Sequence, residues 1–215
     1  MRNYFLKSAR LGFDVWRVQD LPLALDLWGD PEVTKFTGGP FTAMQVSERL
    51  YREIVNHGRY GIQYWPVFLL RTGEHAGCCG LQPHKPNDGI HELGFQLRKA
   101  SWGQGFGREA AEAVIVHAFT ALGFSSLYAG HHPNNEASRR VLEGLGFRYT
   151  HNEFYPPTGE VEPCYLLRKE DFLRTPRRSI ASNRHQDGAG SDQNAPESHF
   201  PSEPLAEEGH SEQDH

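Results

Sequence analysis

Three glycines alternate with larger residues in the segment 102–107, which reads Trp-Gly-Gln-Gly-Phe-Gly and precedes a predicted helix. Because Gly103, Gly105 and Gly107 have no Cβ atom, the backbone can turn tightly and direct several N–H groups towards one point. The positive end of the following helix adds to the attraction for an anion. The segment therefore predicts a phosphate or pyrophosphate site, the alternative being that the glycines only form a tight turn.

The residues that follow the glycines argue against two common phosphate-binding motifs. A P-loop requires Gly-Lys followed by Ser or Thr, whereas this chain continues Gly107-Arg108-Glu109. A dinucleotide-binding fingerprint requires its third glycine one position later, where Arg108 stands.

The elements that must position this loop can be predicted from hydrophobic periodicity and turn residues. Predicted strands span 11–17, 60–70, 76–81, 90–98, 126–131, 147–155 and 161–168. Predicted helices span 20–28, 42–58, 104–122 and 135–145, the second starting at a Thr42 cap and ending at Gly58. The short connections between the second, third and fourth strands indicate an antiparallel meander. We therefore predict an α/β (α+β) fold, with a mixed, mostly antiparallel sheet of about seven strands and helices on both faces.

The segment 131–147 carries a family resemblance. It reads His-His-Pro-Asn-Asn-Glu-Ala-Ser-Arg-Arg-Val-Leu-Glu-Gly-Leu-Gly-Phe and resembles the Asn-x-x-Ser … Leu-Gly-Phe segment of GNAT-type N-acetyltransferases. Residues 101–110 resemble the acetyl-CoA loop of the RimJ/RimL-like branch, which includes ribosomal-protein N-terminal acetyltransferases. Asp20-Leu21-Pro22 and the segment 30–40 resemble its N-terminal portion. The resemblance covers residues 5–172 and implies a GNAT fold and an acetyl-CoA-dependent N-acetyltransferase.

The resemblance also implies which residues bind acetyl-CoA. Backbone N–H groups of the loop would bind the pyrophosphate, and the strand before the loop would offer backbone groups to the pantetheine amides. Asn135 would bind the pantetheine arm or orient the acyl group, the alternative being that it only caps a helix. The implied cofactor-binding residues are Phe95, Gln96, Leu97, Trp102, Gly103, Gln104, Gly105, Phe106, Gly107, Arg108 and Asn135.

Acetyl transfer to an amine needs a base for the amine's excess proton, a donor for the oxyanion and a proton for the thiolate. We predict Glu92 as the base, because its spacing to Gln96 resembles that of GNAT members with a glutamate on this strand. Partial burial would raise its pKa towards neutrality. The alternatives are that Glu92 orients substrate or forms a salt bridge. His91 and His132 are weaker candidates for the base.

This chain differs from many GNAT enzymes at the position of the residue that donates a proton to the thiolate. Many GNAT enzymes have a tyrosine four residues before the Gly-Phe pair, and this chain has Leu142 there. Ser138 is the predicted substitute, unless it only packs or caps the helix. The Leu97 N–H would stabilise the oxyanion.

The acceptor is expected to be a primary amine, carried by a protein N-terminus or a small molecule. The turn 155–159 and the second helix would frame its groove. Aromatic residues that could line the groove are Trp28, Phe36, Tyr64, Trp65 and Tyr155. The missing tyrosine also leaves open a non-catalytic, acyl-CoA-binding or regulatory module.

Composition changes abruptly near Thr175. Residues 175–215 are polar, and their eight acidic and three basic residues give a formal charge of −5, which equals that of the whole chain. We therefore predict an acetyltransferase domain over 1–174 and a disordered acidic tail over 175–215. The near-neutral domain suggests neither a nucleic-acid partner nor an anionic membrane partner. A further alternative is a scaffold whose partners are recruited by the tail.

The remaining composition suggests a cytoplasmic protein, either a monomer or a homodimer. No apolar run is long enough to cross a bilayer. Cys78, Cys79 and Cys164 form an odd set in which two are adjacent, so we expect reduced thiols. The histidines show no convincing metal-ligand spacing, so no metal is expected.

Overall fold

The computed structural model describes residues 2–85 and 88–174. Its strands form one sheet in the order β1-β2-β3-β4-β5-β6-β8-β7. The strands are β1 (Leu6–Lys7), β2 (Leu11–Phe13), β3 (Tyr64–Leu69), β4 (His75–Lys85), β5 (Ile90–Leu97), β6 (Ser126–Gly130), β7 (Arg148–Tyr155) and β8 (Glu160–Arg168). β5 and β6 are parallel, and the other described neighbours are antiparallel. The predicted mixed sheet is therefore confirmed, with eight strands because the two-residue β1 is too short to show a sequence pattern.

Helices cover both faces of this sheet, as predicted. They are α1 (Leu21–Trp28), α2 (Pro31–Thr34), α3 (Ala43–Tyr60), α4 (Phe106–Thr120), α5 (Glu136–Gly144) and α6 (Lys169–Arg174). The adjacent residues Cys78 and Cys79 point to opposite faces: Cys78 packs with α1 and α3, and Cys79 packs with α4. All three cysteines are buried free thiols. None of the helices in the described residues has the length and apolar character that a membrane crossing needs.

The ends of α3 show how the local sequence sets a helix boundary. Thr42 Oγ1 accepts a hydrogen bond from the Gln45 N–H at 3.3 Å, and Gln45 Oε1 accepts from the Thr42 N–H at 2.9 Å. The helix ends at Tyr60, followed by Gly61 with a φ of 71°. The prediction that Gly58 ends this helix was wrong, because a second glycine three residues later adopts the left-handed conformation.

The parallel ladder between β5 and β6 is short. It pairs Ile90, His91 and Glu92 with residues 126–128 and then stops, although β5 continues to Leu97. Beyond Glu92, β5 stays paired with β4. A gap therefore opens between β5 and β6, beside the turn that leads from β5 into α4. The tail predicted over 175–215 lies outside the described residues, and the proposed domain boundary remains a prediction.

Replacing Leu142 by alanine should destabilise the fold. Leu142 is 2% exposed and belongs to the core beneath α4 and α5, so truncation would leave a cavity. We expect Leu142→Ala to lower the free energy of unfolding by about 2–5 kcal/mol, measured by urea denaturation. Leu173→Ala is the control, because Leu173 is 62% exposed and should change stability by less than about 0.5 kcal/mol. Equal losses in the two variants would contradict this assignment of the core.

Candidate functional site

The glycine-rich loop has the backbone conformation that its glycines allow. Gly103 and Gly105 have φ angles of 73° and 77°, in the left-handed region that favours glycine. Gly105 is the N-cap of α4, and its carbonyl accepts the first helical hydrogen bond, from the Glu109 N–H at 3.1 Å. Consequently, the N–H groups of Phe106, Gly107 and Arg108 have no acceptor inside the helix and are available to an anion. The helix starts two residues later than predicted because Gly105 is not helical.

Arg10, at the start of the domain, braces this loop. Its Nη1 donates to the Gln104 carbonyl at 3.1 Å, and its Nε donates to Glu109 Oε2 at 2.6 Å. The guanidinium also lies over the ring of Phe106, 4.5 Å from the ring centre. On the other side of the loop, the Trp102 indole donates to the Leu97 carbonyl at 2.8 Å. The loop is therefore held in shape by contacts within the protein itself.

Two polar side chains among the predicted cofactor-binding residues, those of Arg108 and Gln96, have structural contacts of their own. The Arg108 guanidinium donates to the Gly144 carbonyl at 3.0 Å and ties the start of α4 to the end of α5. Gln96 Oε1 accepts hydrogen bonds from the Trp28 indole at 2.9 Å and from Arg49 at 2.8 Å. The Gln96 side chain thereby joins β5 to α1 and α3, which leaves cofactor binding to backbone groups.

The backbone edge of β5 faces the gap at Phe95 and Leu97. The Arg98 N–H donates to the Ala76 carbonyl of β4 at 2.9 Å. Because backbone groups of successive strand residues point to alternate edges, those of Phe95 and Leu97 point away from β4. A Cβ on Gly107 would lie 3.6 Å from both of these side chains. The loop and the open strand edge are therefore adjacent, as predicted.

Asn135 and Ser138 lie at the start of α5. Asn135 Oδ1 accepts a hydrogen bond from the Ser138 N–H at 3.1 Å, so Asn135 does cap the helix. Ser138 is half-buried, and its hydroxyl makes no hydrogen bond to the described residues. Both positions remain predictions as acyl-arm and proton-donor residues. Leu142, one turn further on, is part of the core.

Glu92 lies at the last paired position of β5, where the gap begins. Its Oε1 accepts a hydrogen bond from the Tyr64 hydroxyl at 2.9 Å. Burial raises the pKa of Glu92, opposed by the Tyr64 hydrogen bond and by the charge of Arg49. The sequence analysis predicted that burial would raise the pKa of Glu92, and the pKa is raised. His91 points to the other face and stacks on Phe124 with ring centres 3.6 Å apart, so it does not share this position.

A second carboxylate, Glu162 on β8, was missed by the sequence analysis. It is buried, and its Oε1 has no hydrogen-bond partner among the described residues. Burial, followed by repulsion from Glu92, raises the pKa of Glu162 to about 7, opposed by a hydrogen bond from the Thr158 side chain. A Cβ on Gly130 would lie 3.6 Å from Glu162 Oε2, which places the carboxylate at the end of β6. The available signal was a charged residue on the buried face of a strand, but strand pairing was needed to bring it towards Glu92.

The loop after α2 contacts both the segment after β6 and the turn between β7 and β8. The ring of Phe36 packs on His132 with ring centres 4.8 Å apart. A Cβ on Gly38 would lie 2.6 Å from the Pro157 carbonyl oxygen, so the loop after α2 touches the turn between β7 and β8. This turn was predicted to frame the acceptor groove, and the contact shows that the loop after α2 lies beside it.

The aromatic residues predicted for the groove divide into two groups. Tyr64 contacts Glu92, and burial together with the charges of Glu92 and Glu162 raises the pKa of Tyr155. In contrast, Trp28 is fully buried against α1 and α3, and Trp65 packs on the opposite face of the sheet. The prediction that these two tryptophans line the groove was therefore wrong.

Comparisons with known proteins agree with this arrangement. The family model described as "Acetyltransferase (GNAT) domain" matches residues 10–148. The uncharacterized protein YkkB of Bacillus subtilis is 33% identical over 125 residues, which cover 58% of this chain and 73% of the relative. The FsC-acetyl coenzyme A-N(2)-transacetylase of Aspergillus fumigatus is 30% identical over 184 residues, which cover 77% of this chain and 76% of the relative.

Solved structures share the fold. The ribosomal-protein alpha-N-acetyltransferase RimL in complex with coenzyme A superposes with a TM-score of 0.67 at 16% identity, covering 77% of this chain and 98% of RimL. This likeness concerns the fold, whereas the family match extends over most of the described domain. The chain is an acyltransferase and belongs to the GNAT acetyltransferase family.

Proposed function

We propose that this protein transfers the acetyl group of acetyl-CoA directly to a primary amine, and that Glu92 and Glu162 receive the acceptor's ammonium group. The observation that carries the proposal is the buried Glu162 Oε1, which has no hydrogen-bond donor among the residues that the structure describes and lies within the electrostatic influence of a second carboxylate. A buried acceptor oxygen without a partner is costly. An ammonium group supplies both the missing donor and the compensating charge.

Acetyl-CoA would bind along the gap between β5 and β6. The pyrophosphate would accept hydrogen bonds from the backbone N–H groups of residues 103–108, where three helical N–H groups are free of helical acceptors. The pantetheine arm would lie along the open edge at Phe95 and Leu97. This path brings the thioester towards Glu92, because Glu92 lies where the gap begins. RimL, which shares this fold, has been solved in complex with coenzyme A, and this supports coenzyme A as the carrier of the acetyl group.

The carboxylate pair would then act on the acceptor. Since Glu92 and Glu162 repel each other, the protons they bind belong to the pair, and one carboxylate accepts the amine's excess proton near neutral pH. The neutral nitrogen forms a bond to the thioester carbonyl carbon, and the carbon–sulfur bond breaks. The Leu97 N–H would stabilise the oxyanion, and the second proton, which the nitrogen loses as the amide forms, would reach the departing thiolate through Ser138 or solvent.

The acceptor groove favours positively charged amines. The charge of Glu92 acts on both Tyr155 and Glu162, and Glu162 acts on Tyr155 as well. The name of the Aspergillus relative specifies an N(2)-acetyl transfer, and that of RimL specifies a protein α-amine. We therefore propose an amine-bearing small molecule or a protein N-terminus as the acceptor.

Removing either carboxylate should change the pH dependence of acetyl transfer. The base works when ionised, so kcat/KM of the wild-type protein should rise with pH through about 7, the pKa of Glu162. Glu162→Gln should lower kcat/KM by about 100- to 10,000-fold. Glu92→Gln removes the repulsion that raises the pKa of Glu162, so the remaining acidic limb should move to lower pH. A thiol-release assay with a panel of amines measures both effects.

Glu48→Gln serves as the control, because Glu48 is exposed on α3. Its pH profile should match that of the wild type. An unchanged profile and kcat/KM in Glu162→Gln would contradict the role of the carboxylate pair. Acetyl-CoA binding without turnover of any amine would favour the non-catalytic alternative instead.

Gly105→Ala should weaken acetyl-CoA binding. The φ of 77° at Gly105 costs a non-glycine residue about 1–2 kcal/mol, so the loop must either carry this strain or change shape. We expect the Kd for acetyl-CoA, measured by calorimetry, to rise about tenfold. Gly159→Ala is the matched control, since Gly159 has a φ of 71° with open space around it, in the turn between β7 and β8. Equal affinities of the two variants for acetyl-CoA would show that the loop conformation does not matter.

A further inference from the structure

Three metal-binding side chains meet on the hairpin formed by β7 and β8. The ligand atoms of His151, Glu153 and Cys164 all lie within 4.8 Å of one another. His151 Nε2 is 3.5 Å from Glu153 Oε2. Zinc bonds of about 2.0–2.3 Å in tetrahedral geometry require ligand atoms roughly 3.3–3.8 Å apart. Small side-chain movements would therefore bring all three atoms to one zinc ion.

The pairing of the two strands creates this cluster. His151 lies opposite Cys164, and the register shifts between Tyr149 and His151, so that Thr150 is an extra residue on β7. Such a bulge redirects the neighbouring side chains. His151 and Glu153 are two residues apart and share one face of the strand. From the sequence alone these residues show no zinc-ligand spacing, which explains why no metal was expected.

Hydrogen bonding favours one tautomer of the neutral His151 ring. The Thr150 hydroxyl donates its one proton to the Cys164 carbonyl at 3.0 Å. It also lies 3.0 Å from His151 Nδ1, and with its proton already used it can only accept there. Nδ1 of the neutral ring therefore carries the hydrogen, and Nε2 has a free lone pair on the side of Glu153. This arrangement is the one that oriented metal-binding histidines adopt.

The Tyr128 hydroxyl contacts both of the other side chains in this cluster, Cys164 and Glu153. The Tyr128 hydroxyl is 2.9 Å from Cys164 Sγ and 3.2 Å from Glu153 Oε2. It has one proton, so it can donate to the sulfur or to the carboxylate but not to both. The ring of Tyr128 is held by stacking on His84, with ring centres 4.0 Å apart. A cation between the sulfur and the carboxylate would bind both groups at once, which the single proton of Tyr128 cannot do.

We propose that His151 Nε2, the Glu153 carboxylate and Cys164 Sγ bind a Zn²⁺ ion, with Thr150 and Tyr128 orienting the ligands. A set of one nitrogen, one oxygen and one sulfur atom suits zinc and not Mg²⁺ or Ca²⁺, which prefer oxygen ligands. Three protein ligands leave the fourth position to water. Cys164 is buried, whereas His151 and Glu153 are more than half exposed, so the ion can enter from solvent. Binding replaces the proton of the Cys164 thiol, which passes to solvent.

Metal binding by the full-length protein tests this proposal without any acetyl-transfer assay. The protein is treated with a chelator, dialysed and titrated with Zn²⁺ and with Co²⁺. We expect a zinc site at this hairpin and, with Co²⁺, a thiolate-to-cobalt charge-transfer band together with the visible bands of a four-coordinate ion. Cys164→Ser should remove the charge-transfer band, and His151→Ala and Glu153→Gln should each remove the site. Thr150→Val keeps all three ligands and should weaken zinc binding about 10- to 100-fold.

His199→Ala is the control, because it removes a histidine that is not one of the three proposed ligands. It should retain the charge-transfer band and the affinity. Circular dichroism establishes that each variant is folded. A wild-type protein without the band, or a band that persists in Cys164→Ser, would overturn the proposal. Neither result depends on acetyl transfer, so the proposed function would be unaffected.

Discussion

The strand β5 is paired along its whole length on one side and over only three residues on the other. An unpaired backbone group that is also removed from water costs about 1–3 kcal/mol, so the free edge of β5 must be satisfied by something other than β6. The Trp102 indole satisfies the Leu97 carbonyl, and the rest of the edge is open to water or to a ligand. The gap persists because β4 holds β5 from the opposite side.

On the sheet face covered by α1 and α3, a buried glutamate connects α3 to the strands beside the gap. Glu53 is fully buried, and its Oε2 accepts a hydrogen bond from the Tyr64 N–H at 2.8 Å. Its Oε1 accepts from the Gln82 amide at 2.9 Å, on β4. Tyr64 then donates through its hydroxyl to Glu92. Contacts from α3, β3 and β4 therefore position Tyr64, whose hydroxyl holds the Glu92 carboxylate at the gap.

Features set by local sequence could be predicted, and features set by strand pairing could not. The loop, the Thr42 cap and the Asn135 cap depend on residues within one turn of each other. Glu162 and the hairpin cluster depend on register, and a bulge at Thr150 alters that register. Trp65 was misplaced because an error of one residue reverses the face of a strand side chain. Glu53 gave no signal, because a glutamate on a helix usually faces solvent.

The contact between Arg10 and the loop links two distant parts of the chain. Arg10 precedes β2, whereas the Gln104 carbonyl and Glu109 that it contacts belong to the loop and to α4. The anion site therefore takes its shape only when the first strands have docked on the later half of the domain. A ligand that binds this folded loop, and not the unfolded chain, adds its binding free energy to the stability of the domain, about 2.7 kcal/mol at one hundred times its Kd. If acetyl-CoA is that ligand, a higher concentration of it would raise the free energy of unfolding of the domain.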